Sequence, residues 1–301
     1  EAPQSFLALF SALPDAHLGL NSRSASDGSA PNSTCMGRKA TFSGSTTLSM
    51  ADSECAMKQT TGIEGCWASS LGNCGGGISR EHYVSQCVFP DQSIFVQGLD
   101  WCLEKPKEHR IETLTAKILC RDHNSALSEL DSEAGRAFGS IREFARIKTE
   151  REKMPYINWA FKQLTIDSRK LERWCLKSLI NFSFGRNLII GPGSHKPGSV
   201  PAELARIAFG LEEFTDGRGI YTAYKLNETF NFDDHFNYIA KAHESHLVMG
   251  LFRLCGFRFY LNLFHTEGGP LAIIEDSHVF YRTTHFNQAI GSRLSHRLTI
   301  V

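Results

Sequence analysis

The sequence predicts an α+β protein in three parts. These are a disordered tail over residues 1–60, a zinc-stapled ββα module with a long helix over 61–153, and a separate α+β domain over 154–301 whose C-terminal half is rich in strands. Three observations carry that prediction. Cys120 and His123, two metal-type ligands, stand in LCRDHNSALSELD where a helical pattern begins. Leu127, Leu130, Ala134, Phe138, Ile141, Phe144 and Ala145 then recur in steps of three and four, the mark of one amphipathic helix running to about Arg151. Further on, HLVMGLFRLCGFRFYLNLF resembles a hairpin turning near Cys255 and Gly256, with Phe257, Phe259, Leu261 and Leu263 alternating against Arg258, Tyr260 and Asn262.

Composition narrows the classes. At 301 residues, 42% apolar and 21% charged, the chain is long enough and apolar enough to bury a core. Its 32 basic and 32 acidic residues cancel, so no global charge argument points to nucleic acid or membrane. No run of about 18 apolar residues offers a transmembrane helix, and the cytoplasm is the expected compartment. The opening EAPQSFLALF lacks the basic leading region of a secretory signal, and a first residue Glu suits a fragment or a processed chain. Nine cysteines, seven of them within residues 35–120, suit disulfides in a secreted protein and metal sites or plain thiols in a cytosolic one.

Taken in order, residues 1–60 are dominated by stretches such as NSRSASDGSAPNST, which bury too little to offset their ordering entropy. Cys35 and Cys55 there read as incidental. GCWASSLGNCGGGISREHYVSQCVF is a Gly-punctuated loop feeding a short strand over about 78–84. SIFVQGLDW is extended, and RIETLTAKILC is a strand entering Cys120. In DSRKLERWCLKSLINF, Asp167 or Ser168 is the candidate N-cap, and Leu171, Trp174, Cys175 and Leu179 share a helical face. GPGSHKPGSVP is a loop without phosphate-loop spacing, Pro201 opens the short helix AELARIAFG, and HRLTIV is extended. His243 and His246 in AHESH lack the spacing of a zinc-protease helix. Residues 142–177 carry ten basic and five acidic side chains, a face that could meet phosphates or simply be solvated.

One Cys-His pair cannot fill a tetrahedral metal site, so a second pair must lie elsewhere. Cys66 and Cys74 supply it, with Gly75, Gly76 and Gly77 free to turn backbone amides toward thiolate sulfur. Cys66, Cys74, Cys120 and His123 form a Cys3His structural zinc set; buried thiols beside a surface His are the plainer reading. Between the pairs, Glu81 and His82 alternate on a strand, so they face opposite ways. One could then hold a divalent ion while the other takes a proton from water. Asn124 could add a second oxygen ligand, or merely cap the helix.

The pattern C…C…EH…LCxxHN followed by a helix resembles the HNH endonuclease superfamily over residues 66–130. That resemblance implies a ββα-metal fold and hydrolysis of DNA phosphodiester bonds. It makes His82 the general base, and Glu81 and Asn124 the ligands of a catalytic Mg2+ or another divalent ion. The middle Asn of the motif has no clear counterpart, Thr115 standing near its place, and the 66–74 loop is longer than usual. The alternative is the same zinc fold without catalysis, binding nucleic acid or protein.

Overall fold

The computed structural model describes residues 62–89, 107–185, 188–190, 196, 199–215, 217–225, 246–264 and 277–301, with the backbone of strands Leu20–Ser22, Ser93–Val96 and Asn237–His243. The fold is mixed α+β. In chain order the strands are β1 Leu20–Ser22, β2 Ile78–His82, β3 Ser93–Val96, β4 Lys107–Arg110, β5 Thr115–Cys120, β6 Lys162–Ile166, β7 Ile189–Ile190, β8 Gly219–Lys225, β9 Asn237–His243, β10 His246–Leu254, β11 Phe257–Asn262, β12 Ser277–Tyr281, β13 Thr284–Ile290 and β14 Arg293–Ile300. The helices are α1 Arg121–Ala126, α2 Ser128–Glu152, α3 Ser168–Gly185 and α4 Ala202–Ala208. Apart from β1, which pairs antiparallel with β3, the predicted tail lies outside the described residues, as do Cys35, Cys55 and most of GPGSHKPGS.

The amphipathic stripe that begins at Leu127 becomes α2, with Leu130, Ala134, Phe138, Ile141, Phe144 and Ala145 all buried. The expected single helix is two. Leu127 (φ −88°, ψ −4°) breaks the run, so the short α1 can turn at the knuckle independently of α2. Asp167 caps α3, its Oδ1 accepting from the Lys170 amide at 3.0 Å. The expected face of α3 is buried, but so are Lys177, Ser178, Asn181 and Ser183 on its other sides. A helix closed in all round lies between two layers. On one side is the β2–β5 ribbon, to which Asn181 Nδ2 donates at the His82 carbonyl, 2.9 Å. On the other is the sheet ordered β12-β8-β11-β10-β7, with β9 added to β10. Trp174 pins the sandwich, its ring edge-on to Phe138 (5.1 Å between centroids) and 5.7 Å from Phe252.

The predicted hairpin is β10–β11. Cys255 (φ 48°) and Gly256 (φ 81°) both take left-handed conformations, as a two-residue turn matched to strand twist requires. Phe257, Phe259 and Leu261 of β11, with Leu263 just beyond it, face the core. His243 and His246 sit opposite each other where β9 meets β10. A third sheet, β13-β14-β6, packs on α2, and its central β14 runs parallel to β6. The hydrophobic core is continuous from Cys66 to Ile300 and crosses residue 154 without a break. Among the described residues no helix is long and apolar enough to cross a membrane.

Candidate metal centre and its surroundings

The β2–β5 ribbon and α1 place the four expected metal ligands together. Ile78 pairs with Cys120 at the end of the ribbon, and the Arg121 amide donates to the Gly77 carbonyl at 2.9 Å, which folds the glycine loop back over α1. Two of those glycines lie against α1. A Cβ at Gly75 would lie 2.0 Å from Asp122 Oδ2, and one at Gly76 would lie 2.8 Å from Arg121 Cβ. Gly76 also holds φ +72°, a left-handed value.

His123 Nδ1 lies 3.4 Å from Cys66 Sγ, 3.6 Å from Cys74 Sγ and 3.2 Å from Cys120 Sγ. All four donor atoms fall within 4.8 Å of one another. Metal–sulfur bonds of about 2.3 Å and metal–nitrogen bonds of about 2.0–2.1 Å at tetrahedral angles set sulfur–nitrogen edges near 3.5 Å. The donor set therefore fits a tetrahedral metal ion, and Cys66, Cys120 and His123 are buried as a closed structural site demands. With Nδ1 turned to the sulfurs, Nε2 is left to bond the Gly72 backbone, which fixes the ring. Burial pushes the Cys66 thiol up to about 12 against the pull of the Cys120 and Ala68 amides. Burial also raises Cys120, but the amides of His123 and Gly75 outweigh it and hold that thiol below its usual range. Of the glycine amides, that of Gly75 reaches the Cys120 sulfur.

The second expected constellation is dispersed. Glu81, on the inward face of β2, is buried, and its carboxylate meets Lys177 Nζ of α3 at 2.6 Å. Lys177, itself buried, also contacts Asp131 Oδ1 and Oδ2 at 2.6 and 2.8 Å. Ser85 Oγ donates to Asp131 and accepts from Trp174 Nε1 at 2.7 Å. Burial raises the Glu81 carboxyl above the usual range, opposed by Lys177. Burial lowers Lys177, but Asp131 and Glu81 reverse the balance and keep it charged. The positive charge that the sequence assigned to a divalent ion at Glu81 is supplied here by an ammonium group.

Asn124 does not join Glu81. Its Nδ2 donates to Ser79 Oγ at 3.1 Å and to the Arg80 carbonyl at 3.0 Å, tying α1 to β2. His82 is half-buried, with Nε2 shut off from solvent and without a hydrogen-bond partner. Burial holds its imidazole below the usual pKa, with Asp131 and Lys177 opposing each other. Its register partner across the ribbon is Thr115. Among the described residues only Cys66, Cys74, Cys120 and His123 gather as three or more metal-type donors.

Two features escaped the sequence reading. Lys177 carried no local signal, because it sits in a helix whose other polar residues read as solvated. The second is a cation pair. Arg80 and Lys117 are register partners on the outer face of the ribbon, both exposed, and Arg121 is exposed where β5 passes into α1. None of the three pairs with an acid among the described residues. The basic excess over residues 142–177 is different, since Arg146 pairs with Glu143 and Glu150, Lys148 with Glu152, Lys162 with Glu143 and Lys170 with Glu133. Comparison with protein-family models, with curated proteins and with solved structures returned no match in any of the three.

Proposed function

We propose that the chain is a zinc-stapled nucleic-acid-binding module, with Cys66, Cys74, Cys120 and His123 holding a structural Zn2+ and the β2–β5 ribbon presented to the phosphate backbone of DNA. The single observation that carries this reading is the direct opposition of Arg80 and Lys117. Like charges placed opposite each other on a strand pair disfavour the pair by a few tenths to about 1 kcal/mol, a penalty that a polyanion relieves. Zinc is the ion that three thiolates and an imidazole suit best, and the closed site gives it a scaffolding role. Phosphate contacts of this kind supply affinity and position without reading sequence.

The test is the salt dependence of binding to a short DNA duplex, followed by fluorescence anisotropy. Each phosphate contact contributes about 0.9 to the slope of log K against log salt. Arg80→Ala and Lys117→Ala should each lower the slope by about that amount, with zinc content unchanged. Unaltered slopes in both variants would remove the ribbon from the interface.

A second reading is an HNH-like hydrolase. It is favoured by His82, neutral through burial and standing on the same outer face as Arg80, since strand residues two apart share a face. Against it stands the engagement of Glu81 by Lys177, which leaves a catalytic Mg2+ without its acidic ligand. Plasmid nicking with Mg2+ or Mn2+ that disappears in His82→Ala would establish hydrolysis in place of binding alone.

A further inference from the structure

Five of the eight large hydrophobic side chains that stand exposed among the described residues lie at one end of the third sheet. Met154, Tyr156, Ile157 and Phe161 come from the connection between α2 and β6, and Leu294 from the start of β14. Tyr156 is 82% exposed, Phe161 49% and Leu294 45%. A loosely held loop does not account for this, because the connection is tied down. The amides of Met154, Ile157 and Trp159 donate to the carbonyls of Arg151, Met154 and Ile157 at 3.1, 3.2 and 3.1 Å. Trp159 Nε1 donates to the Met154 carbonyl at 3.3 Å, and Arg293 Nη1 of β14 donates to Asn158 Oδ1 at 2.9 Å. An apolar cluster held outward in this way marks a contact surface.

Its electrostatics are one-sided. Residues 153–166 and 277–301, which supply the connection and the strands β6, β12, β13 and β14, contain no Asp or Glu. Lys153 and Arg293 are exposed beside the cluster, and the Arg151 guanidinium lies over the half-buried Trp159 ring, 5.4 Å from its centroid. The carboxylates at the end of α2 are already paired, Glu150 with Arg146 and Glu152 with Lys148. Apolar side chains flanked by cations, with no acid among them, complement a partner that is anionic and apolar at once. Single-stranded nucleic acid would stack on Tyr156 and Phe161 but offers nothing to Met154, Ile157 and Leu294. A bilayer receives aliphatic and aromatic side chains alike, and needs no socket matched to their shape.

We propose that this end of the third sheet docks peripherally on an anionic lipid surface. Met154, Ile157, Phe161 and Leu294 enter the acyl boundary, the Tyr156 hydroxyl stays among the headgroups, and Lys153 and Arg293 lie against lipid phosphates. The chain's balance of 32 basic and 32 acidic residues hides this surface, because the acids lie elsewhere. The proposal is independent of what the ribbon binds.

Cosedimentation of the full chain, purified with zinc present, with lipid vesicles tests it. One set is phosphatidylcholine alone, the other equal parts phosphatidylcholine and phosphatidylserine. The mixed vesicles should bind about tenfold more tightly, and added salt should narrow the difference. Ile157→Ser and Phe161→Ser, both at exposed positions, should each weaken binding to mixed vesicles about tenfold. Lys153→Gln and Arg293→Gln should each weaken it about fivefold. Melting temperature and duplex DNA affinity should not change in Phe161→Ser. The proposal is overturned if mixed vesicles do not bind, if both sets bind equally, or if binding survives Ile157→Ser and Phe161→Ser combined. Binding of an oligothymidylate that Phe161→Ser abolishes, with no vesicle binding, would assign the cluster to single-stranded nucleic acid. A dimer in lipid-free buffer that Phe161→Ser dissociates, again with no vesicle binding, would assign it to a second copy of the chain. Either result overturns the proposal.

Discussion

Lys177 is the residue on which the half with the Cys3His cluster and the strand-rich half meet. Its ammonium lies between the buried Glu81 carboxylate and the partly exposed Asp131 carboxylate at 2.6 Å from each, and its side chain is 2% exposed. Removing one member of a buried ion network leaves uncompensated charge and costs about 3–5 kcal/mol. Lys177→Met should lose about that much in urea unfolding, and adding Glu81→Gln should recover part of it. A loss below about 1 kcal/mol would show that the carboxylates find another counter-charge. His296 gives the pH signature. Fully buried, it lies 3.0 Å from the Phe144 carbonyl through Nε2 and 3.0 Å from Ser295 Oγ through Nδ1. Since a carbonyl only accepts, Nε2 carries a proton, and the Ser295 hydroxyl, which accepts from Arg151 Nη1 at 3.1 Å, is free to donate to Nδ1 of the neutral ring. Burial lowers its pKa below the usual 6.5. The unfolded chain therefore takes up the proton first, and the stability that His296 contributes is present above pH 6.5 and declines as pH falls below it. Melting temperature followed from pH 8 to 5.5 should fall less steeply in His296→Gln than in the wild type. The Cys3His cluster was legible because the Cys120–His123 spacing and the glycines after Cys74 are local features. Lys177 was not, because the carboxylates that account for its burial lie on β2 and α2.

Among the elements, α2 was legible almost to its ends, since a stripe of seven apolar residues at helical steps admits one interpretation. Its start was misjudged because the stripe passes through Leu127, where the backbone turns without losing its apolar face. The β10–β11 turn was legible too, because an apolar run and an alternating run flank Cys255 and Gly256, which the register leaves as the turn. What periodicity could not reveal was the enclosure of α3 on every side, which depends on a ribbon and a sheet contributed from opposite ends of the sequence. Within that enclosure, a Cβ at Gly250 of β10 would stand 2.8 Å from Leu179 Cδ1 and 3.0 Å from Cγ. Gly250→Ala should therefore destabilise by about 1–3 kcal/mol, and shortening Leu179 to Ala in the same background should cost less than the two changes taken separately. Strict additivity would place the clash elsewhere.

For the molecule as a whole, the continuous core predicts that an ion held by the Cys3His cluster supports more than its own module. Cys120→Ser, or treatment with a strong chelator, should release the ion and lower the melting temperature of the entire described fold in one transition. The ion's share is of the scale seen in small metal-dependent peptides, about 10 kcal/mol. A strand-rich half that keeps its own melting transition after metal loss would show that the shared core does not couple the two. The third sheet sets the order of events during synthesis. β14 lies between β13 and β6, and its parallel register pairs His296 with Lys162. Of the described strands it is the last to leave the ribosome, yet it belongs at a sheet's centre, facing a strand made far earlier. Long loops close slowly. Until β14 arrives, β6 and the flank of α2 wait with their apolar edges open to any other strand in reach. The interval between making β6 and making β14 is when a nascent chain of this protein is most exposed to mispairing, and when a chaperone would have most to shield.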